Sequence, residues 1–331
     1  MAKKHQDDTA ATDDHMPAPS DAATGDKHKL KATRRVQAVA SPEDAVDEQP
    51  LQPDYPRYRI DPGEQLRLVP SDQLSGGKIV EVDPNETEHY QHKKDVSKEL
   101  KRHRKRIADL QARLYAENKQ SLLIVLQAMD TGGKDGTIKH VFRGVNPQGC
   151  RVWSFKVPSA EELSHDFLWR YHEHAPQRGM VTIFNRSHYE DVLVVRVKDL
   201  VPEEVWQHRY EMINEFEHML TLNHTTIIKF FLYISKDEQK RRLESRLEDP
   251  EKHWKFSSAD LKERAFWDDY MQAYQDAINK CSTEYAPWYA VPANHKWYRN
   301  LVIARTIADT LEAMNPQFPL AEEGLDKVVV K

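Results

Sequence analysis

Residues 122–137, Leu-Leu-Ile-Val-Leu-Gln-Ala-Met-Asp-Thr-Gly-Gly-Lys-Asp-Gly-Thr, leave a chain few architectures to choose from. A short apolar, branched run ends in a loop carrying Gly132, Gly133, Lys134 and Gly136, and an amphipathic run over 138–145 follows at once. Strand, glycine loop and helix in that order build a phosphate cradle. Glycine lets backbone N–H groups approach an anion, and the helix start adds unpaired donors and the positive end of its dipole. Lys134 supplies a mobile cation. Against the pattern G-x-x-x-x-G-K-[ST], Ala128 replaces the first glycine and Asp135 the hydroxyl residue, while a carboxylate, Asp130, sits inside the loop.

Alternation continues beyond the loop. Apolar runs at 151–155, 180–184 and 226–234 and a run ending near Val291 predict further strands. Helical spacing predicts helices over 88–119, 160–174, 202–222 and 297–313. Ser235 and Glu238 are spaced as a capping box that starts another helix. Strands separated by helices mean an α/β fold, a parallel sheet covered on both faces with ligands at the strands' C-terminal ends.

Composition narrows the function classes. In 331 residues, 48 Lys and Arg against 53 Asp and Glu give a formal net charge of −5, so an anion site must come from local sorting of cations, and nucleic acid is not an expected partner. Cys150 and Cys281 are the whole cysteine complement, which supports neither a disulfide framework nor a zinc site and points to a reducing, cytoplasmic setting. No apolar run approaches the roughly 20 residues that cross a bilayer, and the N-terminus lacks the core of a secretion signal. Residues 1–48 contain no Phe, Trp, Tyr or Ile and one leucine, so they are expected to be a disordered tail. Residues 49–87 read as an irregular arm, 88–318 as the catalytic domain, and 319–331 as a C-terminal tail.

A second cluster, Phe-Asn-Arg-Ser-His-Tyr-Glu-Asp at 184–191, follows the third strand of the domain. In a doubly wound sheet that places it beside the phosphate loop. Arg186 can neutralise a phosphoryl group, and Glu190 and Asp191 can hold magnesium, which needs only one or two carboxylates. His188 reads as a packed or capping histidine. Residues 236–264, dense in charge of both signs and broken at Asp249-Pro250, read as a helical lid that keeps water from the reaction.

With these parts in order, the chain resembles the family-2 polyphosphate kinases over about residues 55–318. The marks are 128–137, Gly-Val-Asn-Pro at 144–147, 184–191, Ser-Lys-Asp-Glu-Gln at 235–239, Trp-Lys-Phe at 254–256 and Tyr-Ala-Pro-Trp-Tyr at 285–289. The resemblance implies a thymidylate-kinase-like P-loop fold, a three-layer α/β/α sandwich with a helical lid. It also implies reversible, Mg²⁺-dependent phosphoryl transfer between inorganic polyphosphate and nucleoside mono- or diphosphates, in a homodimer or homotetramer.

Carried over by position, Asp130 would organise magnesium, with Asp191 and Glu190 as further ligands. Lys134 and Arg186 would grip the transferring group, and Gly132, Gly133, Asp135, Gly136, Thr137, Asn185 and Arg196 would bind phosphate or nucleotide. Lys139, Lys252 and Lys255 would contact polyphosphate. Asn185 stands where many members carry Asp, a variant resembling the class III subgroup that accepts both mono- and diphosphates, with AMP and ADP, and GMP and GDP beside them, as acceptors. Two competitors stay open on the residues alone: an ATP-dependent nucleoside monophosphate kinase of the same fold, and a non-catalytic nucleotide-sensing scaffold.

Overall fold

The computed structural model describes residues 57–70, 77–325 and 328–330, all within the compact unit Gln52–Lys331. The expected tail over 1–48 lies outside the described residues. The first elements are β1 (Arg59–Ile60), β2 (Glu64–Arg67), β3 (Lys78–Glu81), α1 (Lys93–Glu117), β4 (Ser121–Gln127) and α2 (Lys134–Val141). Then come β5 (Cys150–Ser154), α3 (Ala160–Leu163), α4 (Trp169–His172), β6 (Val181–Asn185), α5 (Val194–Val197) and α6 (Glu203–Leu222). The chain continues through β7 (Thr225–Tyr233), α7 (Lys236–Glu248), α8 (Ser258–Ala265), α9 (Trp267–Cys281), β8 (Trp288–Pro292) and α10 (Lys296–Met314).

The main sheet has the order β1-β8-β7-β4-β6-β5, parallel except for β1, which runs antiparallel to β8. Every residue of β4 is buried, as its unbroken apolar run requires of a strand covered on both faces. The chain leaves β4 toward β5, returns to β6 beside β4, and crosses to β7 on the other side. That reversal makes the C-terminal ends of β4, β6 and β7 a topological switch point, where open α/β sheets bind ligands. Helices α1, α2 and α10 pack together on one face, and α5, α6 and α9 on the other. No helix among the described residues is long and apolar enough to cross a membrane.

Three expectations are corrected. The helix expected over 160–174 is two short helices: the Ser164 hydroxyl turns back onto the Glu161 carbonyl, and Asp166 caps the Leu168 N–H, ending one helix and starting the next. The arm is not wholly irregular, since β1 joins the main sheet and β2 pairs with β3. The capping box is half formed: Ser235 accepts from the Glu238 N–H, but the Glu238 carboxylate turns to Arg241 and Arg242.

Candidate active site

The phosphate loop runs from the end of β4 to the first turn of α2. Gly133 is the N-cap of α2 with φ at 101°, a left-handed conformation that favours glycine. Thr137 donates both its N–H and its hydroxyl to the Gly133 carbonyl, at 2.9 and 3.1 Å, which fixes the turn on the helix side. The first N–H groups of α2 have no partner within the helix and are free for an anion. Thr131 in the loop and Arg186 after β6 are also left-handed, with φ of 63° and 64°. Non-glycine residues hold that conformation at a cost, and it collects at functional sites.

The loop and the β6 turn meet through their charges. Arg186 Nη2 lies 2.7 Å from Asp130 Oδ1 and Nη1 lies 3.2 Å from Glu190 Oε2. These carboxylates, Glu190 first, raise the Arg186 pKa despite its burial. Lys134 Nζ donates to the Ala128 carbonyl at 2.8 Å, closing the loop on itself. Burial and the neighbouring Arg186 lower its pKa to about 8, against the pull of Asp130. Asn185 donates to Asp135 Oδ1 at 2.7 Å, joining the first turn of α2 to the end of β6. From the expected lid, α8 brings Asp260 into the same field: burial and Asp130 raise its pKa, while Arg246, 3.0 Å away, opposes them.

A second tier of residues lies behind the loop and was not apparent in the sequence. Gln239 on α7 donates to the Asp130 carbonyl at 3.0 Å. Arg242, one turn on, donates to the carbonyls of Thr131 and Gly132 at 3.0 and 3.1 Å, and to those of Ala293 and Asn294 beyond β8. Arg299 on α10 adds a donor to the Gly132 carbonyl at 3.1 Å. With loop carbonyls satisfied from behind, its N–H groups remain for a ligand. The signal was weak because these arginines lie 110 and 167 positions from the loop residue they share, in helices of ordinary composition.

Other candidates are placed elsewhere. Asp191 does not join Asp130: it lies half-buried against Arg209 at 3.1 Å and the Tyr171 hydroxyl at 3.0 Å, and its removal from water raises its pKa to about 6. Arg196 pairs with Asp276 on α9 at 2.7 Å and lies over the Trp206 ring. Lys252 pairs with Asp249 and Lys255 lies over Trp254, both in the Pro250–Lys255 turn of the lid. Lys139 is exposed on α2. His188 is fully buried and hydrogen-bonds Glu217 at 3.0 Å, a packed histidine that braces the turn carrying Glu190.

Comparison with known proteins follows the same lines. The family model described as Polyphosphate kinase 2 (PPK2) matches residues 90–319. A relative in Meiothermus ruber named AMP/ADP-polyphosphate phosphotransferase is 50% identical over 83% of this chain and 99% of its own. One in Rhodopseudomonas palustris named ADP-polyphosphate phosphotransferase is 45% identical over 80% of this chain and 91% of its own. The crystal structure of polyphosphate kinase 2 from Arthrobacter aurescens superposes with a TM-score of 0.72 at 47% identity, covering 74% of this chain and 89% of that one.

Proposed function

Because this chain belongs to the polyphosphate kinase 2 family, we propose that it transfers phosphoryl groups reversibly between inorganic polyphosphate and adenine nucleotides, taking AMP to ADP and ADP to ATP. The observation that carries this reading is the meeting of Lys134, Arg186 and Asp130 at one edge of the sheet. Lys134 and the loop N–H groups receive the terminal phosphate of the chain, and Arg186 lies across from them. A terminal oxygen of the acceptor nucleotide attacks the end phosphorus. A new P–O bond forms as the bridging P–O bond to the next phosphate breaks, and the shortened polyphosphate leaves with the electron pair. Both reactants are anions, so cations fixed before they arrive lower the barrier as charge spreads over the transferring group.

The residues present fit a magnesium ion. Asp130 is a partly exposed carboxylate in the mouth of the loop, with Glu190 on the other side of the shared Arg186, and magnesium takes one or two carboxylates together with substrate phosphates. Bound there, it would supply charge neutralisation and orient the phosphate oxygens. Asn185 holds α2 to β6 through Asp135. Helices α7 and α8 close over the reacting groups and exclude water. The resemblance makes a homodimer or homotetramer the expected assembly.

The test is purified protein with Mg²⁺, AMP and long-chain polyphosphate, without ATP, and nucleotides separated over time. ADP followed by ATP is the expected result. No product from AMP or ADP, alongside activity with ATP and a nucleoside monophosphate, would replace this reading with an ordinary monophosphate kinase.

A further inference from the structure

Arg299 is an oddity behind the cradle. Its side chain is buried, with the residue 2% exposed, and its hydrogen-bond acceptors are the neutral Asn300 side-chain oxygen and the Gly132 carbonyl. Among the described residues no carboxylate pairs with it. The charged groups around it are of its own sign: Arg242, which donates to the same Gly132 carbonyl, and Lys296 one turn earlier on α10. Glu238 is taken by Arg242 and Arg241. Burial and Arg242 bring the Arg299 pKa down to about 9. A buried charge without a counter-charge is costly and needs a reason.

Gly133 shows that the guanidinium is seated against the loop by design of the sequence. A Cβ built on Gly133 would stand 2.1 Å from Arg299 Nη1, and one on Gly136 would stand 3.7 Å from Nη2. The loop and the start of α2 therefore pack directly against the guanidinium. Arg299 touches their inner side, and an anion in the cradle would touch the outer side.

We propose that Arg299 is a positioning residue whose missing counter-charge is the polyphosphate anion itself. It holds the Gly132 carbonyl inward so that loop N–H groups face the ligand, and its charge acts through the thin layer of loop backbone. This deepens the reading above and rests on it. It makes two linked demands: the residue favours the bound state, and it is dispensable or unfavourable in the unbound one. The Gly132 carbonyl keeps a donor without it, since Arg242 remains at 3.1 Å.

The experiment compares the full chain with Arg299→Gln, which keeps a donor but no charge, and with Arg299→Lys, which keeps the charge. Binding of tripolyphosphate is followed by calorimetry, unfolding by thermal melts without ligand, and transfer by separate KM values for polyphosphate and AMP. The glutamine variant is expected to melt no lower than the wild type yet to bind tripolyphosphate about tenfold more weakly, the size of one charge interaction near a low-dielectric loop. Its KM for polyphosphate rises while that for AMP stays, and the lysine variant recovers most of the affinity. Wild-type affinity in Arg299→Gln overturns the proposal. So does failure of the glutamine variant to fold without phosphate, because the charge is then structural, and so does an equal rise in both KM values. A wild type that binds no tripolyphosphate and uses no polyphosphate removes the functional reading itself, an outcome distinct from the others.

Discussion

Lys134 carries two pH dependences of opposite sign. Burial and Arg186 lower its pKa to about 8 from the ordinary 10.5. Between those values the unfolded chain keeps the proton and the folded one releases it. The unfolded state therefore binds more protons, and this residue's contribution to stability rises with pH across that window. Phosphate affinity is expected to move the other way, because the ammonium proposed to grip the anion is lost. In Mg²⁺-free buffer from pH 7 to 9.5, tripolyphosphate binding should weaken more steeply for the wild type than for Lys134→Arg, whose guanidinium stays charged. The ligand's own titration is common to both proteins and cancels in the comparison. Equal slopes would mean that the Lys134 charge does not control binding.

The short turn His188–Val192 presents Glu190 to Arg186, and a buried network holds it from behind. Lys229, on β7 and wholly buried, donates to the Tyr189 hydroxyl at 2.9 Å, to the Cys281 carbonyl at 2.7 Å, and to Glu217 on α6. Glu217 also accepts from Tyr189, and His188 lies 3.0 Å away. Lys229→Met would leave Glu217 as an unpaired charge in the core, and breaking one side of a buried pair costs about 3–5 kcal/mol. Chemical denaturation should show that loss. A change below about 1 kcal/mol would show that Glu217 does not stay as an uncompensated charge there, a proton or His188 neutralising it once the ammonium is gone. This network also marks where the sequence stops being legible. The strand, loop and helix around residues 122–137 are local, as is the Asn185–Asp191 turn, so Asp130, Lys134 and Arg186 could be read from spacing and from the resemblance. Lys229 in an apolar strand, Arg242 in a charged helix and Arg299 in a terminal helix act across the sheet, and their neighbours in sequence say nothing of that. The break within 160–174 was hidden for the opposite reason: the hydrogen bond that Ser164 donates to the Glu161 carbonyl and the one that Asp166 accepts from the Leu168 N–H outweigh an apolar spacing that suits one long helix.

At the scale of the whole molecule the N-terminal arm and the phosphate loop are connected through β8. Strand β1 is two residues long, too short for any alternation to show in sequence, yet it covers the outer edge of the main sheet. Ala290 donates to the Tyr58 carbonyl at 2.8 Å, and the Tyr58 and Tyr298 hydroxyls lie 2.6 Å apart. Beyond it, Asn279 exchanges two hydrogen bonds with Leu66, and Gln275 receives the Leu68 N–H, so side chains of α9 stand in for a neighbouring strand. Ile60 and Leu66 are fully buried by this arrangement. Removing residues through 70 would uncover β8, Trp-Tyr-Ala-Val-Pro, whose every residue is buried, and would present an apolar strand edge of the kind that pairs with other chains. The loss of Tyr58, Ile60 and Leu66 alone withdraws about 1.5–3 kcal/mol of burial each. The consequence reaches the site, because the carbonyls of Ala293 and Asn294, just past β8, hold Arg242, and Arg242 holds the phosphate loop. A chain beginning at residue 55 should therefore remain monodisperse in light scattering and keep tripolyphosphate binding. A chain beginning at residue 71 should aggregate, and any fraction that stays in solution should bind tripolyphosphate at least about tenfold more weakly. If the shorter chain is monodisperse and binds like the longer one, β8 needs no cover and the arm has no part in holding the loop.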